Sequence, residues 1–267
     1  MVRSTTWLVG SATEVRIGVG LPTALIGSGC IIASAGMDVA AQVEAMTSAA
    51  VAQVDAGANL VEVFSSPPDE VTVLPRIVAA VGGAVAVPLC IRVVDATALD
   101  AALAACPGKA VAELSSVPAA HLPLALAAAR RYGAAVIVPS VTGENKFASL
   151  EEQIELARTQ VRETIVNRIP RDDVIIGLSL VPEAKYPGSA AVVLALAAHV
   201  SKVDGVNLAL RPSESTSGML SEEIFAGQLI ARAVATGVTC VLADGHSARR
   251  SVSTADSLVI PADATAR

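Results

Sequence analysis

The side chains best suited to chemistry sit near the ends of short apolar runs. Glu62 falls in residues 59–65 (NLVEVFS), Arg92 in 87–94 (VPLCIRVV) and Glu113 in 110–116 (AVAELSS). If these runs are strands, alternation places Glu62 with Phe64, Arg92 with Cys90, and Glu113 with Val111 on one parity. Adjacent strands would then line the three charges up as an acid–base–acid row. In such a row Glu62 or Glu113 can serve as a general base while Arg92 holds a substrate anion. The same row also reads as a buried ion network that only supports the fold, because buried charges have to be paired.

Other candidates lie at the ends of later runs. Arg211 closes the run 205–211 (GVNLALR) and Ser213 follows it, and both suit contact with an anion, with Asn207 earlier in the run as a further substrate-binding candidate. Asp244 and His246 follow the run 239–244 in the sequence ADGH. They read either as an acid and imidazole at a catalytic mouth or as a helix cap beside a solvated histidine. The polar segment 140–149 (SVTGENKFAS) reads as a lid that brings Asn145 and Lys146 inward, or as a surface turn. His121 and His199 fall in helical stretches, and three scattered histidines make no metal motif. Cys30, Cys90, Cys106 and Cys240 are widely spaced without a C-x-x-C, which points to reduced thiols rather than a disulfide frame or zinc site.

Eight β-branched runs position these residues, at 24–29, 59–65, 87–94, 110–116, 134–140, 173–180, 205–211 and 239–244. Alanine-rich amphipathic segments alternate with them. Residues 38–56 begin at a capping Asp38 and stop at Gly57, residues 118–132 end at Gly133, and residues 221–236 stop at Gly237. Residues 149–167 open with Ser149 and Glu152 at capping-box spacing. Strand–helix alternation repeated eight times predicts an α/β fold, a (β/α)8 TIM barrel, whose site lies at the carboxyl ends of its strands. Barrels of this kind also bind phosphate near strands seven and eight, where Arg211 and Ser213 fall. An open doubly wound sheet is the rival, disfavoured because no G-x-G-x-x-G follows the first run. Residues 5–20 read as an N-terminal β-hairpin turning near Gly10–Ser11, which can close the amino-terminal mouth. The whole chain, 1–267, reads as one domain.

Composition sets the outer bounds. At 53% hydrophobic and 16% charged, the chain fits strands that are dry on both faces. The longest uncharged stretch, 17–37, is interrupted by glycines, serines and Pro22, so no membrane span is expected. With no secretory h-region, the default location is the cytoplasm. A net charge of −6 and 2% aromatic residues give no reason to expect nucleic acid.

Taken in order along the chain, several segments resemble the dihydropteroate synthases and the methyltetrahydrofolate:corrinoid methyltransferases, both pterin-binding barrels. They are PTALIGSGCI, DAGANLVEV, VPLCIRVVDATALDAAL, IPRDDVII and VATGVTCVLAD, after the hairpin. The resemblance makes the parity of Glu62, Arg92 and Glu113 the inward one. It also brings in Lys185, near the synthase lysine after strand six. The strand-seven motif reads Leu210-Arg211-Pro212-Ser213, keeping its arginine and last serine.

Other family positions have changed. The third-strand aspartate falls on Arg92, the fourth-strand asparagine on Glu113, the sixth-strand aspartate on Gly177 and the first-strand asparagine on Cys30. The methyltransferase asparagine late in strand seven falls on Arg211. Arginine has no acceptor, so Arg92 cannot replace an aspartate against a pterin edge.

What the resemblance implies is a transferase with a folate or pterin as substrate, or another anionic small molecule in a repurposed pocket. It implies no tightly bound cofactor, a homodimer, and a corrinoid-carrying or other partner protein. The expected catalytic residues are Glu62, Arg92, Glu113 and Asp244. The expected substrate-binding residues are Lys185, Asn207, Arg211, Ser213 and Asn145. One alternative is a lyase or dehydratase using the Glu62/Arg92/Glu113 row, which also resembles type I dehydroquinate dehydratase but lacks its strand-six lysine. The other is a non-catalytic barrel that acts as a subunit or small-molecule binder.

Overall fold

The structure, a computed structural model, describes residues 3–28, 37–65, 70–142 and 147–260. Asn145, Lys146 and Cys30 lie outside these residues. Strands β1 (Thr5–Val9) and β2 (Glu14–Gly18) pair antiparallel, with the Gly10 N–H donating to Thr13 O at 2.8 Å across the turn. This is the expected hairpin. Eight parallel strands follow: β3 (Ala24–Gly27), β4 (Leu60–Val63), β5 (Leu89–Arg92), β6 (Val111–Glu113), β7 (Ala135–Pro139), β8 (Val174–Leu178), β9 (Asn207–Leu210) and β10 (Cys240–Ala243). They close in sequence order, with β10 pairing back to β3, so the barrel and not the open sheet is the architecture.

Between the strands run α1 (Val39–Asp55), α2 (Glu70–Ala84), α3 (Ala96–Ala104), α4 (Leu122–Arg131), α5 (Leu150–Val166), α6 (Ser189–Val203), the short α7 (Ser213–Thr216), α8 (Glu222–Thr236) and α9 (Gly245–Val259). Local signals set several of their ends. Asp38 accepts from the Ala41 N–H, and Gly57 follows α1 in the left-handed region at φ 89°. Ser149 and Glu152 form the full reciprocal capping box of α5.

Two apolar layers result. The larger lies between strands and helices, with Leu25, Val61, Ile91, Val136 and Leu208 facing Leu74, Leu99 and Leu196. The smaller fills the barrel itself. It gathers Ala24, Ile26, Leu60, Cys90, Val111, Ala135, Ile137, Ile175, Ala209, Cys240 and Leu242, together with Leu8 and Ile17 of the hairpin. The inward parity is therefore the one shared by Leu60 and Glu62, Cys90 and Arg92, Val111 and Glu113. The hairpin inserts Leu8 and Ile17, both fully buried, at the amino-terminal end of the barrel. Asn207 fastens it there, donating from Nδ2 to Thr6 Oγ1 at 2.9 Å and to Ile17 O at 3.0 Å. Among the described residues, no helix is long and apolar enough to cross a membrane.

Candidate functional site

At the carboxyl ends of the strands the barrel opens into a cavity of about 830 Å³, within the size range of small-molecule sites. Its walls include Arg92, Glu113, Ser115, Thr142, Ser179 and Arg211, over an apolar base of Ile137, Ala209 and Leu242. Arg92 ends β5 and Glu113 ends β6, and their Cα atoms are register partners. Arg211 directly follows β9. The bare backbone of Gly177 on β8 forms part of the wall. A Cβ there would stand 2.9 Å from Ile137 Cγ2 and 3.2 Å from Ser115 Oγ, so the glycine leaves room that a side chain would take.

The charges do not pair as the strand order suggests. Glu62 is the partner of Arg211, with Nη2 to Oε1 at 2.5 Å and Nη1 to Oε2 at 3.1 Å. This two-pronged pair spans the mouth from β4 to the end of β9, which are separated by β3 and β10 around the barrel. Side-chain exposure is 2% for Glu62 and 17% for Arg211, so the pair is largely desolvated. Burial disfavours the Arg211 cation, but Glu62 and then Glu113 outweigh it, and the net effect raises its pKa. The base between the two acids is therefore Arg211, not Arg92.

Glu113 is 4% exposed, and its Oε1 accepts the Ser115 N–H at 3.0 Å. Burial raises its pKa above the ordinary carboxylate value, with Arg211 and the Ser115 bond opposing and Glu62 adding to the rise. Cys90, one step deeper, is pushed well up by burial and by the two glutamates, so it stays a thiol.

Arg92 forms no ion pair with its register partner. Its guanidinium carbon sits 4.7 Å from the centre of the Phe64 ring, and no carboxylate among the described residues comes within ion-pair distance. Behind it, the buried Glu70 at the start of α2 accepts from Val94 N at 2.9 Å and Asp95 N at 2.8 Å, fixing the turn that follows Arg92. Across the cavity, hydrogen bonds extend the β7–β8 pairing beyond the strands. Ser140 N donates to Gly177 O at 2.8 Å, Ser179 N to Ser140 Oγ at 3.1 Å, and Ser179 Oγ to Val141 O at 3.0 Å.

The structure thus brings Glu62, Arg92, Glu113 and Arg211 to one rim and places the remaining candidates elsewhere. Asp244 caps α9 through the Ser247 N–H and accepts from Gln53 Nε2 at 2.8 Å, while His246 is exposed beside it. Asn207 belongs to the hairpin contact at the opposite end, because it is the first residue of β9 and not the last. Ser213 is exposed on α7. Lys185 is exposed as well, its Nζ 5.3 Å from the Tyr186 ring centre. None of these five lines the cavity. Asn145 lies outside the described residues. Ser115 and Ser179 were not singled out in the sequence, yet each stands two residues beyond an inward position, Glu113 and Gly177. Extending the two-residue period past the strand ends would have found both. Among the described residues no group of three or more His, Cys, Asp or Glu is placed to hold a metal.

No protein-family model matches the chain, and no curated protein does either. Solved structures do. The dihydropteroate synthase of Yersinia pestis with a pterine–sulfa conjugate superposes with a TM-score of 0.70 at 13% identity, covering 94% of this chain and 98% of that one. A second structure of that enzyme gives 0.68 at 14%, covering 95% and 98%. A third, a sulfonamide drug complex, gives 0.69 at 15%, covering 91% and 96%. The likeness is one of fold: the chain folds as those pterin-binding barrels do, along nearly the whole length of both chains.

Proposed function

We propose that the chain is an enzyme, a diverged transferase that acts on a pterin or another small molecule with an anionic group in the strand-end cavity. The observation that carries this reading is Glu113. It is a carboxyl group at the cavity wall with raised proton affinity, flanked by Arg211 and one strand away from Arg92. A carboxyl whose pKa is raised suits proton transfer to and from a bound substrate. In this reading Glu113 is the general acid–base and Arg92 anchors an oxyanion. Glu62 holds Arg211 in place by engaging both of its terminal nitrogens. Glu113 also supplies an acceptor for the donor edge of a pterin, the role that Arg92 cannot take.

The proposal extends to the wider expectations of the resemblance: a homodimer in the cytoplasm, with a corrinoid carrier or other protein as acceptor partner. A Schiff-base lyase has less support, since no lysine lines the cavity among the described residues. Titration of the protein with a pterin, folate and methyltetrahydrofolate tests the reading. Saturable binding that is weakened at least tenfold by Glu113→Gln supports it. Absence of binding at millimolar concentration removes the pterin, and turnover unaffected by Glu113→Gln removes the acid–base role.

A further inference from the structure

The charges that face the cavity narrow the class of substrate. Glu62 and Arg211 engage one another through two hydrogen bonds and cancel. Of the other charged groups lining the cavity among the described residues, Arg92 is positive and Glu113 negative, while Glu214 pairs with Arg211 at 3.9 Å. A multiply charged anion such as a diphosphate would bring its charge against the Glu113 carboxylate with the Arg92 guanidinium alone to hold it. Such a wall repels a plain anion as strongly as it attracts one.

Opposite charges are nonetheless side by side. Arg92 and Glu113 are partners across β5 and β6, on the same inward face, at the same level of the rim. Side chains so placed ordinarily pair with each other. Here each is held off: Arg92 against the Phe64 ring and Glu113 on the Ser115 N–H. Both line the same cavity, beside the hydroxyl-bearing Ser115, Thr142 and Ser179 and above an apolar base. A positive and a negative group kept apart, facing one hollow, match a molecule that carries both signs.

Resting on the site reading above, we infer that the ligand is a small zwitterion, with a carboxylate or other oxyanion at Arg92 and an ammonium or amidinium at Glu113. Binding both ends at once makes the second contact intramolecular, so the whole molecule binds more tightly than either half. Uncharged heterocycles and plain anions use one contact and are discriminated against.

The test is calorimetric titration of the full-length protein with glutamate, 4-aminobutyrate and arginine as zwitterions. Butyrate and butylamine serve as half-molecules, and pyrophosphate serves as the plain anion. The expected result is that at least one zwitterion binds tenfold or more tightly than both half-molecules and pyrophosphate. Arg92→Met should then abolish that advantage over butylamine, and Glu113→Gln its advantage over butyrate. Circular dichroism of both variants verifies that each is folded. Pyrophosphate or a pterin binding more tightly than every zwitterion, with sensitivity to Arg92→Met, overturns the inference while leaving the site reading intact. A zwitterion that binds equally well to both variants overturns both. Binding by no member of the panel overturns the inference as well.

Discussion

Both carboxylate oxygens of Glu62 are engaged by Arg211, whereas Glu113 is held by Ser115 and lines the cavity. Surroundings, not residue type, assign the two glutamates different duties. Arg211→Met leaves Glu62 buried without its counter-charge, and urea unfolding should show a loss of about 3–5 kcal/mol. The double variant Glu62→Gln, Arg211→Met should recover part of it, because Glu62 is then no longer a stranded charge while Glu113 still lacks the Arg211 cation. Glu113 gives a pH dependence of definite sign. Its native pKa lies above its unfolded value, so the native state binds more protons across the interval between them. Its contribution is fully present below the ordinary carboxylate pKa and is lost as pH rises toward the native one. Unfolding free energies measured against pH should therefore fall more steeply through that window in the parent than in Glu113→Gln. At neutral pH the glutamine variant should be the more stable. Alternation along the strands, with the family resemblance to choose the inward parity, was enough to tell that Glu62, Arg92 and Glu113 share a face. It could not tell which of them meet, because partners across a closed barrel are set by strand tilt and closure, and Arg211 reaches Glu62 from 149 positions away.

At the scale of elements, helix ends were legible because their signals are local. Asp38, Ser149, Gly57 and Gly237 act on backbone within a turn or so of themselves. Asp244 shows the opposite difficulty, since a cap and a catalytic acid look alike in the sequence ADGH. In the structure it caps α9 and is tied to Gln53 of α1, whose Oε1 in turn accepts the Gly245 N–H at 2.7 Å. Asp244→Ala should cost about 1–2 kcal/mol in thermal or urea unfolding, and Asp244→Ser, which still caps, should restore much of that. Ligand affinity should follow neither change. A large loss of affinity with stability intact would return Asp244 to the site. The turn behind Arg92 depends in the same way on Glu70, a link between α2 and the β5–α3 connection that no short-range pattern announces.

Over the whole molecule, the barrel was legible because eight strand–helix repeats leave few other closed solutions. The position of Asn207 was not, since telling the first residue of β9 from the last requires the strand boundary, which sequence patterns locate only to within a few residues. The hairpin contributes Leu8 and Ile17 to the interior, and its fastening is long-range. Leu8→Ala should lower stability by about 2–5 kcal/mol in chemical denaturation, the range for emptying a fully buried leucine site. Because β1 and β2 touch the barrel only at the end away from the cavity, ligand affinity of the folded fraction should stay unchanged.

The plug formed by Leu8 and Ile17 also governs traffic. With the far end stoppered, the described residues leave the chamber open at the carboxyl ends of the strands, and whatever leaves there must pass where the next arrival waits. Under the enzymatic reading proposed above, a spent molecule still lodged inside blocks its replacement outright, so product should compete with substrate for the empty protein and slow the cycle as it accumulates.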